Sequence, residues 1–382
     1  MTAAEPGTGP AGPPTQTACI ACGYTGLRPV RRYSSEVTGD REQIQAQEAA
    51  VSGLSRSDPR GPGIARVPGG PGFSYRDTAG TQVTDAATLA RISALAIPPA
   101  WTDVWISADP LGHIQATGTD ARGRLQYRYH DQWREQRDEQ KFEHMLRFAD
   151  SLPALRAAAL HDLRARGLRR DRVIASAVRL IDVGLFRIGG ERYAELDHHF
   201  GVSTLLKQHV RVVRGGIVFD YIAKEGKRRA ITVGDPAIVP AVRSLARSDN
   251  GLDALFCWQQ GTAWHVLHSH DVSDYIATRA GGHFTAKEFR TWNATVLMAL
   301  LLANAEPSPT ARRRTSVIAR CVRGVAELLG DTTAVTRKSY IDPRLISRYE
   351  TQGQLPSVPA LPAVLPVPAE AELAVAKLLA DS

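Results

Sequence analysis

The feature that most constrains this fold is a change in the spacing of apolar residues near residue 138. Before it, short runs rich in β-branched and aromatic residues, at 104–107, 113–117 and 126–129, are separated by turns that contain glycine or aspartate. That pattern predicts an antiparallel sheet. Beyond residue 138, apolar residues recur three and four positions apart, which predicts amphipathic helices. The chain is therefore predicted to be α+β, with a small, mainly antiparallel-β domain before a larger, mainly helical one.

A second β pattern interrupts the helical region. Runs at 210–213, 217–223 and 229–233, joined by short turns, predict a three-stranded β element. The predicted helices lie at 85–95, 141–152, 155–166, 172–186, 238–247, 272–280, 286–304, 308–329, 343–349 and 369–380. Thr84 is the expected N-cap of the first of these helices.

The composition along the chain predicts four segments. With 382 residues, the chain exceeds the length that one core usually serves, so two domains are expected. Residues 1–60 are rich in proline, glycine, serine and charge, and are predicted to be a disordered extension. The β-rich domain is predicted at 61–140 and the helical domain at 141–352. Residues 353–382 are predicted to form a proline-rich linker and a short terminal helix.

Charge and cysteine content narrow the partners and the compartment. The net charge of +8 favours a polyanionic partner such as nucleic acid. Four cysteines do not make a disulfide framework in a chain this long, so a reducing compartment is expected. Cys19 and Cys22 could be half of a zinc site, but no further ligands lie nearby at a suitable spacing. With no secretory signal and no apolar run of membrane-spanning length, the protein is expected to be cytoplasmic.

Several common catalytic signatures are missing from the sequence. It contains no GxxxxGK[ST] loop, no HExxH motif and no acidic cluster of the two-metal kind. A phosphoryl reaction driven by a nucleotide or a metal is therefore disfavoured. If the chain acts on phosphodiesters, cationic side chains must stabilise the developing charge.

Three basic stretches could supply that stabilisation. LFRIGGERY places Arg187 at the end of an apolar helix, just before two glycines. FDYIAKEGKRRAI presents Lys224 and Lys227 at the tip of a predicted hairpin. FTAKEFRTW sets Lys287 and Arg290 three positions apart on one helical face. Taken singly, these patterns are also typical of a helix-end cap, a hairpin-tip charge or a solvated helix face.

A fourth stretch, LGDTTAVTRKSYIDP, places Tyr340 shortly after Arg337 and Lys338. A half-buried aromatic with a solvated tip is the commoner role of a tyrosine. The alternative is a nucleophile whose target is an anion. Taken alone, this stretch leaves both interpretations open.

These four stretches, in this order and preceded by AIPPAWTDVWI and HIQATGTDARGRLQYRYH, resemble the small type IB DNA topoisomerases of bacteria and poxviruses. The similarity runs over residues 61–350. It implies an enzyme that relaxes supercoiled DNA by transient single-strand cleavage, through a 3′-phosphotyrosyl intermediate and without ATP or metal. It also implies that family's fold, with the helical domain catalytic, and a nucleoid-associated monomer on double-stranded DNA.

The resemblance also implies the roles of four residues. Tyr340 would attack the DNA phosphorus. Arg187 and Arg290 would hold the non-bridging oxygens, because a guanidinium matches the geometry of a phosphate. Lys224 would be the general acid, in relay with Arg187, because an ammonium can donate a proton where a guanidinium scarcely can.

One position departs from the family pattern. Nine residues before Tyr340, where viral relatives carry a histidine that donates to the phosphate and many bacterial ones carry asparagine, this chain has Asp331. An ionised carboxylate cannot donate a hydrogen bond and would repel the phosphate. Asp331 is expected to be protonated, to be neutralised by an arginine such as Arg320 or Arg337, or to point away. It is included among the catalytic residues by position.

The first domain adds expected contacts with DNA. Successive residues of a strand face opposite sides, so Tyr127 and Tyr129 should share one side of their strand, and Gln126 and Arg128 the other. The DNA contacts that the resemblance implies are Arg124, Gln126, Tyr127, Tyr129, Lys227 and Lys287. The two domains would then close around the duplex.

Two other functions are alternatives. A tyrosine recombinase shares the chemistry of the helical domain, although the first-domain motifs favour a topoisomerase. A catalytically weakened homologue that only binds DNA is suggested by Asp331 alone. His265, His268, His270 and Asp271 look like a metal cluster, but they lie in a loop whose counterpart in the family is not a metal site. No metal and no cofactor are therefore expected.

Overall fold

The structure is a computed structural model that describes residues 53–69, 72–356, 358 and 367–381. These residues divide into two compact units, within Met1–Gln136 and within Arg137–Ser382. The predicted extension up to residue 52, with Cys19 and Cys22, lies outside the described residues, as does most of the predicted proline-rich linker. No described helix combines the length and the apolar character that crossing a bilayer would require.

The first unit is built around an antiparallel sheet. Its elements are β1 Ile64–Gly69, β2 Gly72–Arg76, α1 Ala86–Ala94, β3 Thr102–Ile106, β4 Ile114–Thr119 and β5 Leu125–Tyr129. The five strands lie in the order β2-β1-β3-β4-β5. Ile92 of α1 packs with Ile64, Val104 and Ile106 in one apolar core. The predicted antiparallel sheet is confirmed, and β1 and β2 add to the three strands that the sequence predicted.

The N-cap of α1 differs from the prediction by one residue. The cap is Asp85, whose carboxylate accepts a hydrogen bond from the backbone N–H of Thr88 at 2.8 Å, and not Thr84. A carboxylate at this position satisfies an unpaired donor and also complements the positive end of the helix dipole. The prediction of Thr84 as the cap was therefore wrong, and the helix begins at Ala86, one residue later than predicted.

Ordered structure begins before Gly61, where the sequence placed its start. Leu54 is buried and packs in a small cluster with Trp133. The backbone N–H of Ser55 donates to the carbonyl of Leu111 at 2.9 Å. A single apolar residue within a polar stretch thus holds this segment, and such an isolated residue gives no periodic signal.

The second unit is mainly helical. The elements from α2 onward are α2 Asp131–Leu163, α3 Arg170–Gly184, α4 Glu191–Asp197, β6 Val210–Val213, β7 Gly216–Ile222, β8 Arg228–Val233, α5 Val239–Ala246, β9 Cys257–Gln260, β10 Ala263–Val266, α6 Ser269–Ala280, α7 Ala286–Ala303, α8 Ala311–Leu329, α9 Thr333–Ser339, α10 Pro343–Gln352 and α11 Ala369–Ala380. Every residue of α7 from 289 to 300 is buried, so this helix lies at the centre of the core. The mainly helical fold class is confirmed.

The predicted three-stranded element is present as an antiparallel sheet in the order β6-β7-β8. Phe219 of β7 lies opposite Val210 on one side and Ile231 on the other. The connection between β7 and β8 contains a short helical turn, Lys224–Gly226. This sheet therefore carries a hairpin tip that is rich in charge.

Helix α2 runs without interruption where the sequence predicted two helices, at 141–152 and 155–166. Pro153 lies inside it, although an internal proline removes a hydrogen bond and costs about 3 kcal/mol. Leu152 and Leu155, on either side of that proline, are both fully buried. Burial of the apolar face outweighs the loss of one backbone bond, and the prediction of a break was wrong.

The sequence also missed three short elements of the second unit. These are the hairpin of β9 and β10, the helix α4, and the helix α9 that ends directly before Tyr340. The two helices have seven residues each, and the two strands of the hairpin have four each. Elements of one or two turns carry too little periodicity to be distinguished from loops.

Candidate active site

The position of Arg187 is fixed by the way in which α3 ends. Leu185 adopts the left-handed conformation, with φ of 54°, so the chain turns sharply after the helix. The carbonyl of Arg187 then accepts a hydrogen bond from the N–H of Val202 at 2.9 Å. A Cβ at Gly201 would lie 2.8 Å from that carbonyl, so only glycine permits this approach. The loop therefore holds the Arg187 side chain at the end of α3.

Arg290 projects from the buried helix α7. Its Nη1 donates to the carbonyl of Leu185 at 2.5 Å, and its Nη2 donates to the carbonyl of Leu329 at 3.0 Å. These carbonyls lie at the C-terminal ends of α3 and α8, where helix carbonyls lack partners within the helix. The buried Nε of Arg290 has no hydrogen-bond partner among the described residues. This guanidinium is thus held firmly by the ends of two helices.

Asp331 lies between the two arginines. Gly330 ends α8 in the left-handed conformation, and Asp331 follows it. The carboxylate accepts hydrogen bonds from Nη2 of Arg187 at 2.5 Å and from Nη2 of Arg290 at 2.7 Å. Two guanidinium groups therefore converge on one buried anion.

Of the three fates expected for Asp331, neutralisation by arginine matches the geometry. The partners are Arg187 and Arg290, and not Arg320 or Arg337, which the sequence had suggested. The two suggested arginines are closer in the chain, whereas Arg187 is separated from Asp331 by 144 positions. Arg290 and Arg229 each bond the ends of both α3 and α8, and this shared anchoring brings the distant pair together.

Tyr340 lies directly after α9, and its ring is mostly buried. The guanidinium carbon of Arg290 lies over this ring, 5.2 Å from its centroid. The backbone carbonyl of Tyr340 accepts a hydrogen bond from the hydroxyl of Thr295 at 3.1 Å. The tyrosine is therefore adjacent to Arg290, and its backbone is bonded to the same helix that carries Arg290.

Arg229 is a further member of this cluster that the sequence did not identify. It donates to the carbonyls of Leu329 at 2.7 Å and of Gly184 at 3.2 Å, and so joins the same two helix ends as Arg290. Burial lowers the pKa of Arg229 to about 10, and repulsion by Arg290 and Arg187 acts in the same direction. The available signal was an arginine on the inward-facing side of a half-buried strand, β8, where the burial pattern alternates.

Lys224 and Lys227 are not part of this cluster. Both lie at the β7–β8 tip, where Lys224 Nζ is 4.0 Å and Lys227 Nζ is 3.6 Å from the carboxylate of Glu225. Within the described part of the chain, the ion pairs of Asp331 are with Arg187 and Arg290, and neither lysine reaches that carboxylate. The tip is exposed, and Glu225 adopts the left-handed conformation with φ of 66°.

Lys287 and Arg290 are both on α7, as expected, but they differ in environment. Lys287 is exposed in the first turn of the helix, whereas Arg290 is buried. The pKa of Lys141 is lowered, first by burial and also by repulsion from Lys287. Lys287 therefore lies on the surface near the positive charge of Lys141, and it is not part of the buried cluster around Arg290.

In the first unit, the predicted alternation along β5 is present. Tyr127 and Tyr129 stack with ring centroids 5.9 Å apart. Arg124 Nε and Gln126 Nε2 each donate to Oδ2 of Asp120 at 2.9 Å. The pKa of Asp120 is lowered to about 2, first by its bond with the Arg124 side chain. Arg124 and Gln126 are thus bonded to an acid, while Tyr127 is exposed.

The histidines before α6 have separate partners. His268 Nδ1 lies 3.5 Å from Glu191, which raises the pKa of that histidine, and His270 Nε2 lies 3.9 Å from Asp271. Asp271 is bonded to Arg170 at 2.8 Å. In residues 53–69, 72–356, 358 and 367–381, no group of three or more histidine, cysteine or acidic residues could hold a metal ion.

Comparison with known proteins covers most of this chain. Residues 130–354 match the family model of the eukaryotic DNA topoisomerase I catalytic core, and residues 72–120 match the model of the bacterial DNA topoisomerase IB N-terminal domain. DNA topoisomerase 1B of Acanthamoeba polyphaga mimivirus is 30% identical over 300 residues, which cover 76% of this chain and 89% of the viral protein.

Two plant proteins match a smaller part of the chain. DNA topoisomerase 1 of Daucus carota is 28% identical over 161 residues, which cover 42% of this chain and 19% of the plant protein. DNA topoisomerase 1 beta of Arabidopsis thaliana is 26% identical over 170 residues, which cover 44% of this chain and 17% of the plant protein. The similarity to the viral protein therefore extends over far more of both chains.

Proposed function

The chain belongs to the type IB DNA topoisomerase family, whose members are isomerases, and from that premise we propose that it relaxes supercoiled DNA by cutting and resealing one strand through Tyr340. The observation that carries this proposal is the convergence of Arg187 and Arg290 on one anion, with Arg290 5.2 Å from the centroid of the Tyr340 ring. A guanidinium over the tyrosine ring, and a second one that shares its anion, are suited to a phosphodiester that the phenol attacks.

The proposed reaction exchanges one phosphate ester for another. The phenol oxygen of Tyr340 attacks the phosphorus, the bond from phosphorus to the 5′-oxygen breaks, and the phenol proton passes to solvent water. Lys224 donates a proton to the departing 5′-oxygen, in relay with Arg187. The products are a 3′-phosphotyrosyl link and a strand with a free 5′-hydroxyl, which can rotate. Resealing reverses these steps without ATP, because the phosphotyrosine retains the ester bond.

Electrostatic stabilisation would supply most of the acceleration. An unperturbed tyrosine has a pKa of about 10, and the leaving alkoxide is more basic still. The site must therefore stabilise negative charge on both the attacking and the leaving oxygen. Arg290 is buried, where a charge acts more strongly than it does in water.

Asp331 is proposed to lie next to the scissile phosphate. In the absence of DNA, its carboxylate carries the negative charge between Arg187 and Arg290. A phosphodiester carries the same charge and would compete for the same donors. The scissile phosphate would thus displace the carboxylate from one or both arginines as it binds.

The remaining proposed contacts fix the enzyme on double-stranded DNA. Lys227 and Lys287 are exposed cations of the second unit, and Tyr127 is an exposed aromatic of the first. Arg124, Gln126 and Tyr129 complete the set of contacts that we propose for β5 and the turn before it. We further propose that the enzyme acts as a monomer on nucleoid DNA in the cytoplasm.

The test is relaxation of a negatively supercoiled plasmid that lacks any recombination site, with a chelator present and no nucleotide added. The expected result is a ladder of relaxed topoisomers with wild type and none with Tyr340→Phe. Detergent quenching should trap a covalent protein–DNA adduct with wild type only. DNA binding without relaxation or adduct would refute the proposal and favour a catalytically weakened homologue.

A further inference from the structure

The central helix α7 holds several parts of the site at once. Within one and a half turns, Trp292 donates to α11 through its Nε1, and Asn293 donates to the end of α3 through its Nδ2. Arg290 bonds the ends of α3 and α8, and Thr295 bonds the segment that contains Tyr340. All four side chains are buried. Helix α7 is therefore the common support of the nucleophile and the arginine beside it.

Thr295 makes the contact with the nucleophile segment. Its hydroxyl donates to the carbonyl of Tyr340 at 3.1 Å and accepts from the backbone N–H of Asp342 at 3.2 Å. Both Thr295 and Asp342 are fully buried, so water cannot replace either bond. One hydroxyl thus fixes the backbone on both sides of Ile341.

We propose that Thr295 is a positioning residue, whose hydroxyl sets the distance between the Tyr340 phenol and Arg290. Five residues of α-helix separate Arg290 from Thr295, which is a rise of about 7.5 Å along a rigid axis. Fixing the Tyr340 carbonyl to that axis fixes the ring under the guanidinium. This inference rests on the proposed role of Tyr340 as the nucleophile.

The expected consequence is a change in rates and not in affinity. Misplacing a reacting group by about 1 Å can reduce a rate by roughly a hundredfold. Thr295 has no exposed surface, so it cannot contact DNA itself. Both cleavage and resealing should slow when its hydroxyl is removed, because the same phenol oxygen attacks in one direction and departs in the other.

Three substitutions separate positioning from stability. Thr295→Val keeps the shape and removes the hydroxyl, whereas Thr295→Ser keeps the hydroxyl and removes a methyl group. Thr291→Val is the matched control, because Thr291 is a buried threonine one turn earlier. Among the described residues, its hydroxyl bonds only the carbonyl of Lys287 in its own helix, at 3.1 Å. For each full-length variant, the measurements are the single-turnover rate constant of adduct formation, the Kd for DNA and the Tm.

We expect Thr295→Val to cleave about 10- to 100-fold more slowly, with an unchanged Kd. Thr295→Ser and Thr291→Val should remain within about threefold of wild type. A DNA strand with sulfur in place of the leaving 5′-oxygen should not restore the cleavage rate of Thr295→Val. A thiolate leaves without taking up a proton, so this substrate compensates only for the loss of a general acid. The cleavage rate of a variant without Lys224 should recover on that substrate, so the two defects are distinguishable.

Several outcomes would overturn the inference. These are wild-type cleavage by Thr295→Val, equal loss in Thr291→Val, or full rescue by the sulfur-containing strand. If Thr295→Val does not fold, Thr295→Ser decides: near wild-type cleavage supports the inference, and a tenfold loss at unchanged Tm contradicts it. If wild type itself forms no adduct, the proposed function fails; if wild type does and Thr295→Val matches it, only this inference fails.

Discussion

The two places that carry the proposed chemistry differ in almost every physical respect. The Arg290 and Asp331 side chains are 4% and 5% exposed and bonded to each other, whereas the Lys224 side chain is 62% exposed on a hairpin tip. Groups that stabilise charge benefit from burial and fixed geometry. A proton donor on a mobile ammonium can instead approach its substrate when DNA is bound. The comparison teaches that substitutions at the buried cluster should affect both stability and rate, and those at the tip rate alone.

The largest expected effect on rate without loss of stability is that of Lys224→Ala. Removal of a general acid typically costs about 10²- to 10⁴-fold in rate. Because this side chain is exposed, the Tm should not change. Single-turnover cleavage and thermal unfolding measure the two quantities. Lys224→Arg should not rescue cleavage, since a guanidinium scarcely donates its proton.

The control for Lys224 lies on the same hairpin. Arg228 is 72% exposed and is bonded to Asp220. Arg228→Ala should therefore cleave DNA nearly as wild type does. Equal losses from Arg228→Ala and Lys224→Ala would mean that the tip acts only through its charge.

The second effect should appear at Arg290. Arg290→Ala removes one of the proposed donors to the phosphate, and loss of such a donor typically costs about 10²- to 10³-fold in rate. It also removes one of the two arginine partners of Asp331 and the hydrogen bonds that Arg290 donates to the carbonyls of Leu185 and Leu329. Breaking a buried ion pair costs about 3–5 kcal/mol of stability. Cleavage kinetics and chemical denaturation should both reveal the loss. A slow but fully stable variant would contradict the contrast between the buried cluster and the tip.

Asp331→Asn should change rate and stability in opposite directions. Asparagine cannot neutralise Arg187 and Arg290, so the folded state should lose stability. The same change weakens the competition between residue 331 and the phosphate for both arginines. Replacing a charge-assisted hydrogen bond with a neutral one weakens it by about 1 kcal/mol, so cleavage should be roughly fivefold faster. The measurements are single-turnover cleavage and denaturation. Unchanged or slower transesterification would count against an Asp331 next to the phosphate.

The smallest effect should be that of Lys287→Ala on DNA binding. Phosphate contacts release counterions, so the affinity of wild type should fall steeply as salt increases. Loss of one exposed cation should reduce the slope of log K against log salt by about 1, with little effect on cleavage at saturating DNA. Binding titrations at several salt concentrations measure the slope. A wild-type affinity that does not depend on salt would contradict phosphate contact altogether.

The sequence predicted the parts of this architecture that depend on repeated patterns. The antiparallel sheet, the three-stranded element and the helical core follow from periods of two and of three to four residues. It failed where single contacts decide, as at the unbroken helix through Pro153 and at the cap on Asp85. There, packing or one hydrogen bond outweighs the local preference, and neither is visible in a periodic pattern.

The same division holds for the candidate site. Arg187, Arg290 and Tyr340 could be named from short motifs, and the structure brings them together. The partners of Asp331 could not be named, because they depend on how distant helix ends pack. Arg229 was missed for a related reason, since its contacts are with backbone carbonyls and not with side chains that a motif records.

The most direct test of the central claim is peptide mapping of the covalent adduct. After detergent quenching, nuclease treatment and proteolysis, mass spectrometry should find a 3′-linked nucleotide on the peptide that contains Tyr340, and on that tyrosine alone. An adduct on another residue, or plasmid relaxation with no modified tyrosine, would contradict the account.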